Sequence, residues 1–243
     1  MIELLVVIAI IAILAAILLP VLESAQARGY QASCMSNLHQ QGAAFTIYAS
    51  DSNGKYPDLR YAPFCSSPGT PFGSWPWDVS TNFASAMISD GCTRNVFYDP
   101  ANAAFNNNQT WNFYAGFSIV DYVYLIPGAG WATTTGGGVS EQPYWKTNDF
   151  MIPGSQVPAT SELVVDTVIY DSATKNYADI AMGSFGGLPG NPIQRTSHLA
   201  GGLPSGGNEL YEDGHVQWVP WSHMYNLRSF RYFGGNSAPY FIF

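Results

Sequence analysis

The sequence predicts an α+β protein in which one long N-terminal helix packs on an antiparallel β-sheet head. An unbroken apolar run, Leu4–Leu19, is followed by apolar residues at three- and four-residue steps to about Ser50. Later, an apolar segment at Glu162–Tyr170 and an Asp213-Gly214 turn between two apolar-rich segments indicate antiparallel strands. Three parts follow: residues 1–22 as the apolar half of the helix, 23–50 as its amphipathic half, and 51–243 as a globular head.

Composition and charge exclude one class of partner. The 243 residues carry a net charge of −8 and only 9 Lys and Arg, so no basic face is expected to neutralise phosphates. Nucleic acid is therefore not a predicted partner. Charged residues make up 11% of the chain, against about 25% in an average soluble domain, which is typical of an exported, loop-rich β domain.

The N-terminal apolar run is a predicted membrane segment. Ile2 and Val21–Leu22 extend it to about 20 residues, the length that spans a bilayer as a helix. Glu3 needs a cationic partner or a place in the headgroup layer, because an unpaired carboxylate in hydrocarbon is costly. Pro20 removes a backbone donor and predicts a kink or local opening. A signal peptide cleaved after Ala27 is the disfavoured alternative, since an acid stands where basic residues belong.

The helix is predicted to continue beyond Pro20 to about Ser50, which gives a length of about 75 Å at 1.5 Å per residue. The segment Asp51-Ser-Asn-Gly54 and Pro57 mark its end. Its apolar positions are Leu22, Ala25, Ala32, Met35, Leu38, Gly42, Phe45 and Tyr48 or Ala49.

Further strands are predicted in the head. Asn95–Tyr98 and Phe117–Ile126 have strand-like composition, and Pro127-Gly128 ends the second of them. Asn208–Glu212 and His215–Val219 flank Asp213-Gly214 and predict a hairpin with a two-residue turn.

The string IELLVVIAIIAILAAILLP resembles the N terminus of type IV pilins and type II secretion pseudopilins, in which a leader is cleaved and the new N terminus methylated. Glu3 and Pro20 keep the separation of the family's Glu and Pro, with both positions two lower here. The resemblance implies a mature protein that begins two residues before Met1. It also implies a pilin-like fold, with residues 1–22 serving as transmembrane segment and filament core.

The resemblance implies a non-enzymatic structural subunit that polymerises through its N-terminal helix into a pilus-like filament. Glu3 would pair with the N-terminal amine of a neighbouring identical subunit, an arrangement that satisfies two costly charges in a low-dielectric bundle. Further implied partners are prepilin peptidase, the inner membrane and the pilus or secretion assembly machinery. The chain would be a single-pass inner-membrane protein before assembly, then part of an extracellular filament or a periplasmic pseudopilus.

Two later segments resemble one branch of pilin-like proteins. The first is CMSNLHQQGAAFTIYASDSNGKYP, residues 34–57. The second is His198, then GGN at 206–208, then DGHVQWV from Asp213, which resembles a processing-associated domain with nine residues between His and Asp-Gly. Here fourteen residues, 199 to 212, separate them. We expect structural roles for His198, Asp213, Gly214 and His215, with His198 hydrogen-bonded to the hairpin.

Two other functions stay open. A membrane-anchored or secreted carbohydrate-binding module would use exposed aromatic residues as stacking platforms; the candidates are Trp75, Trp77, Trp111, Trp131, Trp145, Trp218 and Trp221. A metal-dependent hydrolase would use His198, Asp213, His215 and His223. It is disfavoured because no two of these His residues have helical i, i+4 spacing and no Gly-x-Ser-x-Gly motif is present.

No cofactor is predicted other than one candidate calcium site. Asp51, Asn53 and Asp58 form an oxygen-rich cluster, but their spacing does not complete a known calcium loop, and a capping turn is favoured. Cys65 and Cys92 are the favoured disulfide pair because both lie in the loop-rich region whereas Cys34 falls on the helix. Three buried free thiols are the alternative.

Overall fold

The computed structural model confirms the α+β organisation. It describes residues 2–57, 78–112, 117–124, 126, 162–166, 168–171, 177, 196–224, 229–231 and 239–242. All statements below concern these residues.

Helix α1, Ile2–Asp51, confirms the predicted single long helix and is continuous through Pro20. Its first half makes no packing contact that buries a side chain: the large apolar residues from Ile2 to Leu22 are between 51% and 79% exposed. The buried positions of the helix begin at Cys34. The helix is therefore long and apolar enough to cross a membrane, and only its second half belongs to the head.

The second half of α1 packs on the head through one face. Its buried residues are Cys34, Leu38, Gln41, Gly42, Ala44, Phe45 and Ala49. Among these, Leu38, Gly42, Phe45 and Ala49 lie at predicted apolar positions, whereas Leu22, Ala25 and Ala32 are exposed. Phe45 packs against Phe83 and Tyr124 with ring centroids 6.2 and 6.4 Å apart. Burial of this face holds the helix on the head.

The strands form antiparallel sheets. The largest sheet consists, in spatial order, of β3 (Tyr122–Tyr124), β4 (Glu162–Asp166), β8 (Gly206–Tyr211) and β9 (Val216–Pro220). A second sheet consists, in spatial order, of β10 (Ser229–Arg231), β11 (Pro239–Ile242) and β5 (Val168–Asp171). Two short pairs are β1 (Asp78–Ser80) with β2 (Phe117–Ile119), and β6 (Leu199–Ala200) with β7 (Leu203–Pro204).

Short helices connect these strands. They are α2 (Thr81–Ser89), the 3-10 helices η1 (Arg94–Phe97) and η2 (Pro100–Phe105), α3 (Asn108–Trp111) and α4 (Trp221–Met224). The main core lies between α1 and the four-stranded sheet, where Leu38, Tyr122, Tyr124 and Leu210 are fully buried. Buried aromatic side chains supply much of its apolar area.

The predicted hairpin is confirmed, but its turn is one residue longer than predicted. Leu210 pairs with Val216, and the Tyr211 amide donates to His215 O at 3.0 Å, so Glu212, Asp213 and Gly214 form a three-residue connection. The Gly214 amide donates to Tyr211 O at 2.9 Å, and Gly214 has φ of +85°. This is a type I turn followed by a left-handed glycine, which the Asp-Gly dipeptide suits as well as it suits the shorter turn.

The strand predicted at Asn95–Tyr98 is wrong, because the chain there forms η1. Val96, Phe97 and Tyr98 are all buried. In a strand covered on one side only, successive side chains alternate between the covered and the exposed face, so three consecutive buried residues would not be expected. Side chains of α1 take the backbone acceptors: Gln41 donates to Val96 O at 2.8 Å, and Asn37 donates to Tyr98 O at 3.0 Å. The helix therefore occupies the place of a partner strand.

Two long predicted strands are each divided. Phe117–Ile126 becomes β2 and β3 because Asp121, between them, turns toward η1 and donates its amide to Phe97 O at 3.1 Å. Glu162–Tyr170 becomes β4 and β5, which lie in different sheets. Apolar composition predicted the strands correctly but not the points at which the chain changes sheet.

Candidate functional site

The exposed half of α1 carries the predicted assembly residues. Glu3 lies in the first turn of the helix, where a carboxylate interacts favourably with the helix dipole. Pro20 lies among the exposed apolar residues of the same half. Both residues are exposed, and the pairing of Glu3 with the N-terminal amine of a neighbouring subunit stays a prediction.

A second feature is a buried cluster formed by Cys34, Asp99, Asp166 and His198. One potential ligand atom from each residue lies within 4.8 Å of the others. His198 Nε2 lies 3.1 Å from Asp99 Oδ2 and 3.2 Å from Asp166 Oδ2. Cys34 Sγ lies 3.2 Å from each carboxylate oxygen of Asp166. All four residues are buried, so the cluster is closed to solvent.

Four separate parts of the chain build this cluster. Cys34 comes from the face of α1 that packs on the head, and Asp166 is the last residue of β4. Asp99 is the N-cap of η2, where its Oδ1 accepts from the Ala101 amide at 2.7 Å. His198 directly precedes β6. The cluster therefore forms only when the helix, the sheet and the connecting loops have come together.

Neighbouring polar groups orient the cluster. Asn208 of β8 donates its backbone amide and its side-chain amide to Asp166 Oδ2, at 2.7 and 3.1 Å. The Tyr122 hydroxyl donates to Cys34 Sγ at 3.4 Å. Asp121 accepts from the Asp99 amide at 3.1 Å. Such supporting hydrogen bonds fix the carboxylates and the thiol in place.

The cluster perturbs the titration of its members. Burial, reinforced by the charges of Asp166 and Asp99, raises the pKa of the Cys34 thiol well above its usual value. Burial alone would lower the pKa of His198, but its close contacts with the carboxylates of Asp166 and Asp99 raise it to about 10. Burial and the nearby Asp99 raise the pKa of Asp121.

The predicted hairpin residues lie at an exposed turn. Asp213 Oδ1 accepts from the His215 backbone amide at 3.0 Å and also contacts His215 Nδ1. That amide hydrogen bond is the main cause that lowers the pKa of Asp213. The His215 ring stacks on Tyr211 at a centroid distance of 4.2 Å. These contacts are those of a structured turn.

His198 contacts carboxylates that the sequence analysis did not connect with it. Its ring pairs with Asp99 and Asp166 and packs edge-on against Trp218 of the hairpin. Its backbone carbonyl accepts from the Ser205 amide at 2.9 Å, just before β8. The hydrolase hypothesis grouped His198 with Asp213, whereas the cluster of potential metal ligands found among the described residues includes His198 without Asp213.

The calcium and disulfide predictions are only partly within the described residues. Asp51 ends α1, and Asn53 has φ of +55° in the turn that follows. The Gly54 amide in this turn donates to Ala49 O at 2.8 Å, as in a helix cap. Asp58 lies outside the described residues. Cys92 is buried, but Cys65 lies outside the described residues, so their pairing stays a prediction.

Three of the candidate tryptophans fall within the described residues. Trp111 is partly buried against Phe97, with ring centroids 5.5 Å apart, and Trp221 packs against Tyr177 at 5.8 Å. Trp218 contacts His198 at 5.2 Å. These three rings contribute to the packing of the head. Trp75, Trp77, Trp131 and Trp145 lie outside the described residues.

Sequence reasoning missed three members of the buried cluster. Asp166 offered a signal, since a carboxylate inside the apolar run ELVVDTVIY needs a buried partner. Cys34 lies four residues before Leu38 on the apolar face of α1, which predicts burial of the thiol. Asp99 before Pro100 indicated only a helix cap. Nothing in the spacing of the three indicated that they meet.

Comparison with protein-family models, with curated proteins and with solved structures gave no match.

Proposed function

We propose that this protein is a non-enzymatic subunit of a type IV pilin-like filament, anchored in a membrane before assembly. The observation that carries the proposal is the division of α1 into an exposed apolar half and a half packed on the head. The resemblance of IELLVVIAIIAILAAILLP to the N terminus of type IV pilins is the reason for proposing a pilin-like subunit in particular.

The exposed apolar half of α1 requires an apolar environment. Fully burying one Leu, Ile or Val side chain is worth about 1.5–3 kcal/mol, and the residues from Ile2 to Leu22 present such side chains all around the helix. A helix that is apolar on every side suits lipid or the interior of a helical bundle rather than the surface of a soluble head. Lipid before assembly and neighbouring helices after assembly would supply these two environments in turn.

Glu3 supplies a preference between the two environments. Lipid and bundle interior are similarly apolar, so burial alone does not drive transfer from one to the other. A carboxylate in hydrocarbon costs about 2.5–3.5 kcal/mol at the centre of a spanning helix, and less near its end. Pairing of Glu3 with a cationic group of a neighbouring subunit, such as its N-terminal amine, would remove this cost in the filament.

The head has the role of a rigid outer domain in this proposal. Gln41 and Asn37 of α1 donate to backbone carbonyls of the head, and Phe45 is buried among its aromatic residues. These contacts fix the direction in which the apolar half leaves the head. Identical subunits would then present their apolar halves in one common orientation.

The experiment compares wild type with Glu3→Ala in cells that carry a pilus or pseudopilus assembly system. Material sheared from the cell surface is examined by electron microscopy, and the N terminus of the chain is determined by mass spectrometry. We expect filaments that contain the chain, with a methylated N terminus, and their loss in Glu3→Ala. Glu23→Ala is the matched control, because Glu23 is an exposed acid of the same helix beyond the apolar run.

Two results would contradict the filament proposal. One is unassembled protein cleaved after Ala27, which would indicate a secreted head and favour the carbohydrate-binding alternative. The other is filament formation that is unaffected by Glu3→Ala.

A further inference from the structure

The buried cluster of Cys34, Asp99, Asp166 and His198 has the composition of a metal site. Thiolate, imidazole and carboxylate are the side-chain ligands that proteins use for zinc. We propose that these four residues bind one divalent transition-metal ion, with Zn²⁺ as the expected occupant. The proposal concerns the head alone and does not depend on filament formation.

The spacing of the ligand atoms fits a four-coordinate ion. With metal–ligand bonds of about 2.0–2.3 Å, neighbouring ligand atoms of a tetrahedral zinc site lie about 3.3–3.6 Å apart. Here His198 Nε2 lies 3.1 and 3.2 Å from the carboxylates of Asp99 and Asp166. Cys34 Sγ lies 3.2 Å from Asp166, and all four ligand atoms are within 4.8 Å of one another. Small shifts of these side chains would admit the ion.

Two atoms at the centre of the cluster lack a suitable hydrogen bond. Among the described residues, neither His198 Nε2 nor Asp99 Oδ2 makes a hydrogen bond of acceptable geometry, although the two atoms lie 3.1 Å apart. Their side chains are only 4% and 1% exposed, so solvent does not satisfy them. Buried polar atoms in proteins are nearly always hydrogen-bonded, so two that are not point to a missing ligand. A metal ion between them would satisfy both.

The surroundings of the cluster resemble the supporting shell of a metal site. Ligating carboxylates in proteins are themselves hydrogen-bonded, which fixes their orientation. Asn208 donates twice to Asp166, and the Ala101 amide donates to Asp99 Oδ1, which leaves Asp99 Oδ2 directed at His198. Tyr122 donates to the Cys34 sulfur.

The ligand set selects among metals and indicates a structural site. Sulfur and imidazole ligands favour Zn²⁺ and related transition metals over Ca²⁺ and Mg²⁺, which prefer oxygen ligands. Four protein ligands complete a tetrahedral shell and leave no position for a substrate, as in structural rather than catalytic zinc sites. The ion would join α1 to η2, β4 and the segment before β6, and so fasten the helix to the head.

The experiment uses the full chain purified in detergent and freed of bound metal with a chelator, with Co²⁺ alone as the spectroscopic probe. Tetrahedral Co²⁺ gives visible absorption bands, and thiolate ligation adds a sulfur-to-cobalt charge-transfer band. We expect binding of one Co²⁺ per chain with this charge-transfer band, and its displacement by Zn²⁺. Metal analysis of protein purified without added metal is expected to show zinc in comparable amount.

Variants assign the spectrum to the cluster. Cys34→Ser is expected to lose the charge-transfer band, whereas Cys92→Ser, which removes another buried cysteine, is expected to keep it. His198→Gln is expected to weaken Co²⁺ binding at least about tenfold. The proposal is overturned if the wild-type chain binds no Co²⁺ beyond a detergent blank, or binds it without the charge-transfer band. Retention of the band in Cys34→Ser would also overturn it. The wild-type measurements decide the question even if a variant does not fold.

Discussion

The thiol of Cys34 lies 3.2 Å from both carboxylate oxygens of Asp166, although the two residues are 132 positions apart in the chain. The contact joins the N-terminal helix α1 to the end of β4. Because Asp166 also accepts two hydrogen bonds from Asn208 of β8, one carboxylate connects the helix with two strands of the main sheet. The stability of the head should therefore depend strongly on this residue.

Substitution of Asp166 by Ala is expected to lower the free energy of unfolding of the head by about 3–5 kcal/mol, the usual cost of breaking a buried charged pair. The change leaves the Asn208 donors unsatisfied and removes one of the two carboxylates beside His198. Tryptophan fluorescence during denaturant unfolding in detergent measures the effect. Asp51→Ala, at an exposed position, is the control and is expected to change stability by less than about 0.5 kcal/mol. Similar values for both variants would contradict a central role of Asp166.

Gln41 and Gln40 offer a matched test of how α1 is fixed to the head. The buried Gln41 donates to Val96 O at 2.8 Å and accepts from the Tyr124 hydroxyl at 2.8 Å. Gln41→Ala should cost about 2–4 kcal/mol, because two buried polar groups lose their partner. Gln40 is exposed, and its side chain bonds only to Ser36 O of the same helix among the recorded contacts. Gln40→Ala should stay within about 0.5 kcal/mol in the same unfolding measurement. A smaller loss for Gln41→Ala than for Gln40→Ala would contradict this packing of the helix.

Gly206 is expected to tolerate no side chain. It has φ of +147°, and an added Cβ would lie 2.3 Å from Val219 O on the neighbouring strand β9. Gly206→Ala should therefore destabilise the head by about 3 kcal/mol or more. Gly202, with φ of +81° and nothing within 4 Å of an added Cβ, is the control. Gly202→Ala should cost only about 1 kcal/mol, from backbone conformation. Thermal unfolding followed by near-ultraviolet circular dichroism would compare the two, and equal losses would refute the role of the close approach.

Glu212 should make the stability of the head depend on pH. Burial raises the pKa of its carboxyl from an ordinary value near 4.5 to about 7, so the folded protein binds more protons than the unfolded chain between these values. The free energy of unfolding should then be higher near the lower pH and fall as the pH rises through about 7. The expected loss is about 1–2 kcal/mol, because partial solvent contact screens the carboxylate.

Unfolding of wild type and Glu212→Gln, measured from about pH 5 to about pH 8, would test this dependence. The variant should lose the part of the slope that comes from this carboxyl, and it should be more stable than wild type at the higher pH. Glu23→Gln, on the exposed part of α1, should retain the wild-type slope. A wild-type slope that persists in Glu212→Gln would assign the dependence to other groups.

Local sequence patterns predicted the helix and the hairpin correctly. The apolar run and the three- and four-residue spacing of Leu38, Gly42 and Phe45 predicted one helix that ends near Ser50, and the structure ends it at Asp51. Asp213-Gly214 predicted the hairpin of β8 and β9, with an error of one residue in its turn. These features depend on residues close together in the chain, which is why a single sequence contains them.

Long-range contacts decided the rest. The sequence alone determined that the chain has an apolar helix, an amphipathic continuation and a strand-containing head. Only the tertiary structure placed Cys34, Asp99, Asp166 and His198 around one point, and it replaced the strand predicted at Asn95–Tyr98 with a 3-10 helix bonded to α1. The physical reason is that a buried polar group takes its partner from whatever segment packs beside it. That choice depends on how the helix and the sheet meet in space, which local spacing does not contain.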